Sequence, residues 1–205
     1  MLFRSTLGNG ATRMVSDQIS SLGSNLVILR PGQRLGPGRD TAGAPRFKLA
    51  DAEAIEHQIS GLNAVAPVTS QGVTLVAGNN NWSSSVAGST NAYLAAGNWR
   101  LGGGRDFTPE EERAGKAVCI LGATVRKELF GTQNPLGGAV RVKGFSCEVV
   151  GLLAAKGQGA MGQDQDDVVL MPLATVQRRL TGNQDVSTIM ISLRDGTDAA
   201  QAMKR

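Results

Sequence analysis

Apolar positions recur along this chain with two periods, one near 3.6 residues and one of 2. Val15, Ile19 and Leu22 fall at i, i+4 and i+7, the spacing of one helical face, and Gly23 supplies a stop. Residues 25–30 then read as a strand closed by Pro31-Gly32, and residues 33–45 form a mobile Gly/Pro/Arg/Ala loop without periodicity. Ala52, Ile55, Ile59 and Leu62 predict a second helical face, with Asp51 and Glu53 in the first turn where the helix dipole favours negative charge. Residues 65–78 and 82–89 alternate and flank Gly78-Asn79-Asn80-Asn81, the chemistry of a hairpin turn. A short helix or turn follows at 91–99.

Leu101-Gly102-Gly103-Gly104 reads as a flexing joint, because consecutive glycines restrain the backbone little, and a second unit is expected from Arg105 onward. Thr108-Pro109-Glu110-Glu111 places a Thr cap, a Pro at the first helical position and a Glu three residues after the cap, a strong helix start. Beyond it the pattern predicts a buried strand at 117–121, a helix at 123–130 stopped by Gly131, and a β pair at 140–143 and 145–153. A polar Gly-rich stretch covers 155–167, then come a strand at 168–171, a short helix at 175–180, a strand at 187–193 and a last helix from 198 to 204. Helices and strands mixed with hairpins place the fold in the α+β class.

Composition narrows the function. Gly is 27 of 205 residues, about twice the usual share, which favours turns and close approaches over a helix bundle. The net charge of +4 is spread over scattered basic residues without interleaved aromatics, so no nucleic-acid partner is expected. No apolar run is long enough to span a bilayer, and the N-terminus lacks a secretory h-region, which alone would point to the cytosol. Cys119 and Cys147 both lie in apolar strand-like runs, where they read first as buried thiols and second as a disulfide.

Reactive constellations are scarce, and the chain is not expected to be an enzyme or to hold a cofactor or metal. Gly157-Gln158-Gly159-Ala160-Met161-Gly162 matches G-x-G-x-x-G, yet acidic residues follow where a helix should open, so a flexible loop is expected instead of a phosphate cradle. Asp164, Asp166 and Asp167 lack calcium-loop spacing and read as a solvated acidic edge. His57, the single histidine, has no G-x-S-x-G elbow to serve, and one His with two Cys makes no zinc spacing. Trp82, Tyr93, Trp99 and Phe107 are expected in the core or at a subdomain seam, with a recognition surface as the alternative.

Read in order, Gly8-Asn9-Gly10-Ala11, Ser21 through the Leu29-Arg30-Pro31-Gly32 end of the first strand, Gly104-Arg105-Asp106-Phe107-Thr108 and Val118-Cys119-Ile120-Leu121-Gly122 resemble the extracytoplasmic core domain of MacB-type ABC transporter permeases. So do Leu129-Phe130-Gly131, Val149-Val150-Gly151, Asp166-Asp167-Val168-Val169-Leu170-Met171-Pro172 and Arg179-Leu180-Thr181-Gly182. Lys48, where the family often has a Thr or Ser cap, and the two cysteines depart from its usual pattern.

The resemblance implies a porter-like subdomain with an inserted smaller, mostly β subdomain. Its first part would be 1–100, the insert 101–184, and its C-terminal strand and helix 185–205. It also implies a periplasmic domain of a membrane-embedded, homodimeric permease, with both chain ends running on into membrane helices and the isolated piece a monomer. The implied partners are a periplasmic adaptor protein and an ATP-binding subunit or domain, and the implied job is transmitting ATP-driven motion in efflux of drugs or peptides. Two other readings stand beside it: a lipoprotein-releasing or cell-wall-hydrolase-regulating permease ectodomain, and a free-standing periplasmic binding protein using Tyr93, Trp99 and Arg100. Partner-binding residues are not assigned.

Overall fold

The computed structural model describes residues 26–31, 46–159 and 162–194. The helix expected at 15–22, the loop at 33–45 and the last helix at 198–204 lie outside the described residues. In chain order the first elements are β1 (Leu26–Leu29), α1 (Leu49–Gln58), β2 (Leu62–Ala77), β3 (Asn80–Ser89), α2 (Ala92–Ala96) and β4 (Leu101–Gly104). They are followed by α3 (Pro109–Ala114), β5 (Val118–Leu121), α4 (Ala123–Phe130), β6 (Ala139–Val142) and β7 (Phe145–Leu153). Last come β8 (Val168–Pro172), α5 (Leu173–Val176), which continues as a π-helical turn over Gln177–Thr181, and β9 (Thr188–Leu193). The architecture is α+β, as the alternation of periods requires.

Strand β2 organises the molecule. It runs for 16 residues, about 50 Å at the usual rise, and changes partner midway. Its residues 62–68 pair antiparallel with β9, which also pairs with β1, giving a three-stranded sheet. Its residues 69–77 pair antiparallel with β3 across a two-residue turn at Gly78-Asn79, with Gly78 at φ +57°. Only a residue tolerant of positive φ fits that turn, so the Gly-Asn signal is satisfied there.

Beyond the turn the strands close on themselves. β3 pairs parallel with β8, β8 antiparallel with β5, β5 parallel with β7, β7 antiparallel with β6, and β6 antiparallel with β2. This six-stranded ring is a small barrel whose interior is filled by alternate residues. Leu75, Val86, Leu121, Val140, Val142, Val149, Val169 and Met171 form one cluster with Val125 and Leu129 of α4, and every one is buried. A second cluster uses other residues of the same strands, Ile120, Val150 and Leu170 among them, together with Phe107 from the segment before α3. A third joins Ala52 and Ile55 of α1 to Val65, Ile189, Ile191 and Leu193 of the three-stranded sheet.

Four expectations need correction. Leu101–Gly104 is an edge strand paired with β7, and a Cβ on Gly104 would lie 2.3 Å from the Val150 oxygen, so glycine serves close approach there instead of flexing. The helix expected through Leu62 stops at Gln58, because Gly61 at φ +84° turns the chain into β2. The helix expected at 175–180 begins earlier and ends as the π turn, with Gly182 at φ +69° as its stop. Cys119 and Cys147 are joined as a disulfide across the barrel strands β5 and β7, where the first reading was two thiols.

Candidate functional site

The three-stranded sheet and the barrel meet where β2 passes from one to the other. At that seam Ser89 Oγ donates to the Pro67 carbonyl at 2.7 Å and is buried, and Ser187 Oγ donates to Val68 O at 3.0 Å. These bonds bind β3 and the start of β9 to β2 at its change of partner. Asn91 follows: its Nδ2 donates to Phe107 O at 2.7 Å while its Oδ1 accepts from Phe107 N at 3.1 Å, so one side-chain amide mimics a strand partner. The Asn91 amide itself donates to Glu112 Oε1 at 2.7 Å, tying α2 to α3.

The helix start at Thr108 forms the reciprocal box its spacing predicts. Glu111 N donates to Thr108 Oγ1 at 3.3 Å and Thr108 N to Glu111 Oε2 at 2.9 Å. The spacing does not reveal the third partner: Arg105 donates from Nη1 and Nη2 to the two Glu111 oxygens, both at 2.8 Å. The Arg105 hydrogen bonds, then the Thr108 amide, hold the buried Glu111 carboxyl down to about 2 against an ordinary 4.5, outweighing the opposing effect of burial. A carboxyl with a depressed folded pKa stabilises the fold fully above its unfolded value and loses that contribution as pH falls. Unfolding by urea is therefore expected to show a stability loss between about pH 4.5 and 2 that Glu111→Gln removes at equal temperature and salt.

The described residues of the Gly-rich stretch after β7 are tied down by hydrogen bonds where a flexible loop was expected. Asp166 is buried, and its Oδ1 accepts from Lys156 N at 2.8 Å while Oδ2 accepts from Gly157 N at 2.9 Å. Gln158 and Asp164 form a bridge, and Asp164 accepts from Asp166 N at 2.9 Å and from Thr124 Oγ1 at 2.6 Å. Two amides that a phosphate would need, those of Lys156 and Gly157, are taken by the chain's own carboxylate, and Gly159 N donates to Gln163 O at 2.7 Å, so the described part of the G-x-G-x-x-G match is satisfied from within. The acidic edge is likewise only partly solvated, since Asp166 faces inward and Asp167 Oδ1 accepts from Trp82 Nε1 at 2.9 Å. Asp166→Ala strands two amides at a cost of about 2 kcal/mol, and hydrogen exchange should show Lys156 and Gly157 losing protection before the barrel strands do.

Lys156 closes the seam from the barrel side. Its ammonium lies 4.0 Å from the Trp99 ring centroid and donates to the Gly97 carbonyl, which joins the loop to the C-terminus of α2. Partial burial pushes this lysine below its ordinary pKa, against the pull of Asp166, and burial raises the Tyr93 phenol against its bond with Trp99. The four aromatics are split: Tyr93, Trp99 and Phe107 belong to the second cluster, whereas Trp82 packs against the barrel core. They are seam and core residues, with Trp99 packed against the second cluster and beneath the Lys156 ammonium.

An open cleft of about 720 Å³ lies between the start of α1, α3 and the π turn, lined in part by Lys48, Glu112, Arg113, Arg178 and Asn183. Its charges are largely engaged: Lys48 Nζ lies 2.6 Å from Asp185 Oδ1, and Arg178 Nη1 donates to Ala114 O at 3.0 Å. His57 is exposed on α1. Among the described residues no group of three His, Cys, Asp or Glu is placed to hold a metal, and no helix is long and apolar enough to cross a membrane.

Comparison with known proteins follows the same lines. Residues 4–205 match the family described as the MacB-like periplasmic core domain. The chain is 38% identical over 194 residues to the macrolide export ATP-binding/permease protein MacB of Bdellovibrio bacteriovorus, covering 94% of this chain and 30% of that protein. It is 36% identical over 201 residues to the MacB of Rhodospirillum rubrum, covering 96% of this chain and 30% of that one. This chain therefore spans under a third of these relatives. The crystal structure of the periplasmic region of MacB from Actinobacillus actinomycetemcomitans superposes with a TM-score of 0.76 at 25% identity, covering 93% of this chain and 85% of that one. The extracellular domain of the transporter YknZ from Gram-positive bacteria shares the fold, with a TM-score of 0.68 at 19% identity over 88% of each chain.

Proposed function

The chain belongs to the family of MacB-like periplasmic core domains, the extracytoplasmic part of an ABC transporter permease, and from that premise we propose that it carries ATP-driven motion outward to a periplasmic adaptor during efflux of drugs or peptides. The observation that supports this reading is the sharing of β2 between the three-stranded sheet and the barrel. A displacement applied to one end of a continuous, doubly paired strand reaches the other end without crossing a loop. Ser89 and Ser187 brace that strand where it changes partner, through the Pro67 and Val68 carbonyls.

The division into a porter-like part at 1–100 and 185–205 and an insert at 101–184 belongs to the same proposal, with one amendment. The change of ladder partner after Val68 supports assigning residues 69–89 to the insert as well. In the assembled transporter the permease is a homodimer, its ATP-binding component lies in the cytoplasm, and the barrel and the cleft beside α3 face the adaptor.

The test uses the intact transporter, captured from membranes through a tag placed outside this domain. Co-purification of a membrane-fusion-type adaptor, lost when the domain is deleted, supports efflux. Capture of a lipoprotein chaperone in its place overturns the efflux reading in favour of lipoprotein release.

A further inference from the structure

The Cys119–Cys147 bond lies where its sulfurs cannot be reached. Cys119 is 0% and Cys147 1% exposed, and both belong to the barrel's core cluster with Leu121, Val125, Val140 and Val149. Disulfide formation requires a thiolate to attack a disulfide sulfur and pass through a mixed disulfide, so a second molecule must approach one sulfur and the partner thiolate must then displace it. The closed ring of β2, β3, β8, β5, β7 and β6 leaves no room for that intermediate.

The bond also falls at a point of ambiguous register. β5 and β7 pair in parallel, with α4 and β6 between them, so no tight turn sets their alignment. Val118 pairs with Glu148 and Cys119 with Val149, but Ile120 pairs with Gly151, an irregularity immediately after Cys119. A slip of one residue there would turn Ile120 and Leu121, both fully buried, to the opposite faces.

We propose that Cys119 and Cys147 are a substrate for a disulfide-donating thiol oxidoreductase, which oxidises them on the open chain before the barrel closes, and that the bond fixes the β5–β7 register for closure. One cysteine thiolate attacks the donor's disulfide and releases one donor thiolate. The second cysteine thiolate then attacks the mixed disulfide and releases the other, so the domain gives up two electrons and two protons and the donor leaves as a dithiol. The inference goes beyond the transport reading and rests on it only for the compartment that supplies the donor.

Oxidised glutathione stands in for the donor in the test. The 205-residue chain is reduced in concentrated urea and exposed to glutathione either there or after dilution into native buffer. Near-UV circular dichroism follows closure, and mass after alkylation counts thiols. We expect the thiols to oxidise in urea, and in native buffer only while the near-UV signal is non-native. Chains already showing the native signal should oxidise slower by more than about 100-fold, the protection of a site that opens rarely. Native-signal chains that oxidise at the rate seen in urea would overturn the order. A double variant, Cys119→Ala with Cys147→Ala, that closes as fast as the oxidised chain would overturn the register role. Because no transporter partner enters either arm, failure here is separate from failure of the efflux reading.

Discussion

Gly122→Ala is expected to destabilise the domain by about 3 kcal/mol, at the upper end of overpacking costs, and to abolish its accumulation as folded protein at 37 °C. A Cβ at Gly122 would sit 2.1 Å from Asp166 O and 2.8 Å from Val168 O, both backbone atoms. Neither can step aside. Gly122 N donates to Val168 O at 2.8 Å and Thr124 N to Asp166 O at 3.3 Å, so the start of α4 is bonded to the same two carbonyls. Asp166 is in turn held by the amides of Lys156 and Gly157. Relief would have to tear α4 from β8 or open the acidic loop. Gly72→Ala is the control: nothing lies within 4 Å of its Cβ, and its midpoint in urea should stay unchanged or rise slightly. Equal midpoints for the two variants would contradict the packing argument.

Removing the disulfide through Cys119→Ala with Cys147→Ala should cost about 3.5 kcal/mol, from the loop entropy released when a closure of 28 residues is lost. For a domain of this size that lowers the thermal midpoint by about 10 °C, measurable by calorimetry. Each Cys→Ala change also leaves a small void in the barrel, so the sum should exceed the entropic share alone. A midpoint within about 2 °C of the parent would show that the oxidised and reduced chains differ little in the freedom of their unfolded states.

Features carried by a few adjacent residues were legible without coordinates. Thr108 through Glu111 announced a helix and its box, Gly78-Asn79 a hairpin, and the alternating strands their elements. What escaped depended on distant segments. Closure of the ring requires β3 to meet β8 and β5 to meet β7 in parallel, and parallel pairs leave no turn signature. The separation of 28 residues between the cysteines was equally compatible with two thiols, because only the third dimension brings their Cα atoms to 5.8 Å. Glycine misled at Leu101–Gly104, where freedom and close approach have the same spelling. Three aspartates looked solvated because composition cannot say which of them turns inward, and Asp166 is the one that does. Of the seam, the aromatics were placed correctly in kind, whereas the bonds of Ser89 and Asn91 left no trace in a linear reading.

A ring of strands is as durable as its shortest join. The ladder between β2 and β6 consists of two pairs, Leu75 with Val142 and Val76 with Arg141, whereas the β2–β3 ladder has nine. The β5–β8 ladder is equally short, Ile120 with Leu170 and Leu121 with Val169, so the circle would first part under load at one of these two joins, unrolling into an open sheet with the disulfide between β5 and β7 still intact. Thermal wear, protease attack and stray strand exchange between neighbouring copies would all begin at that gap.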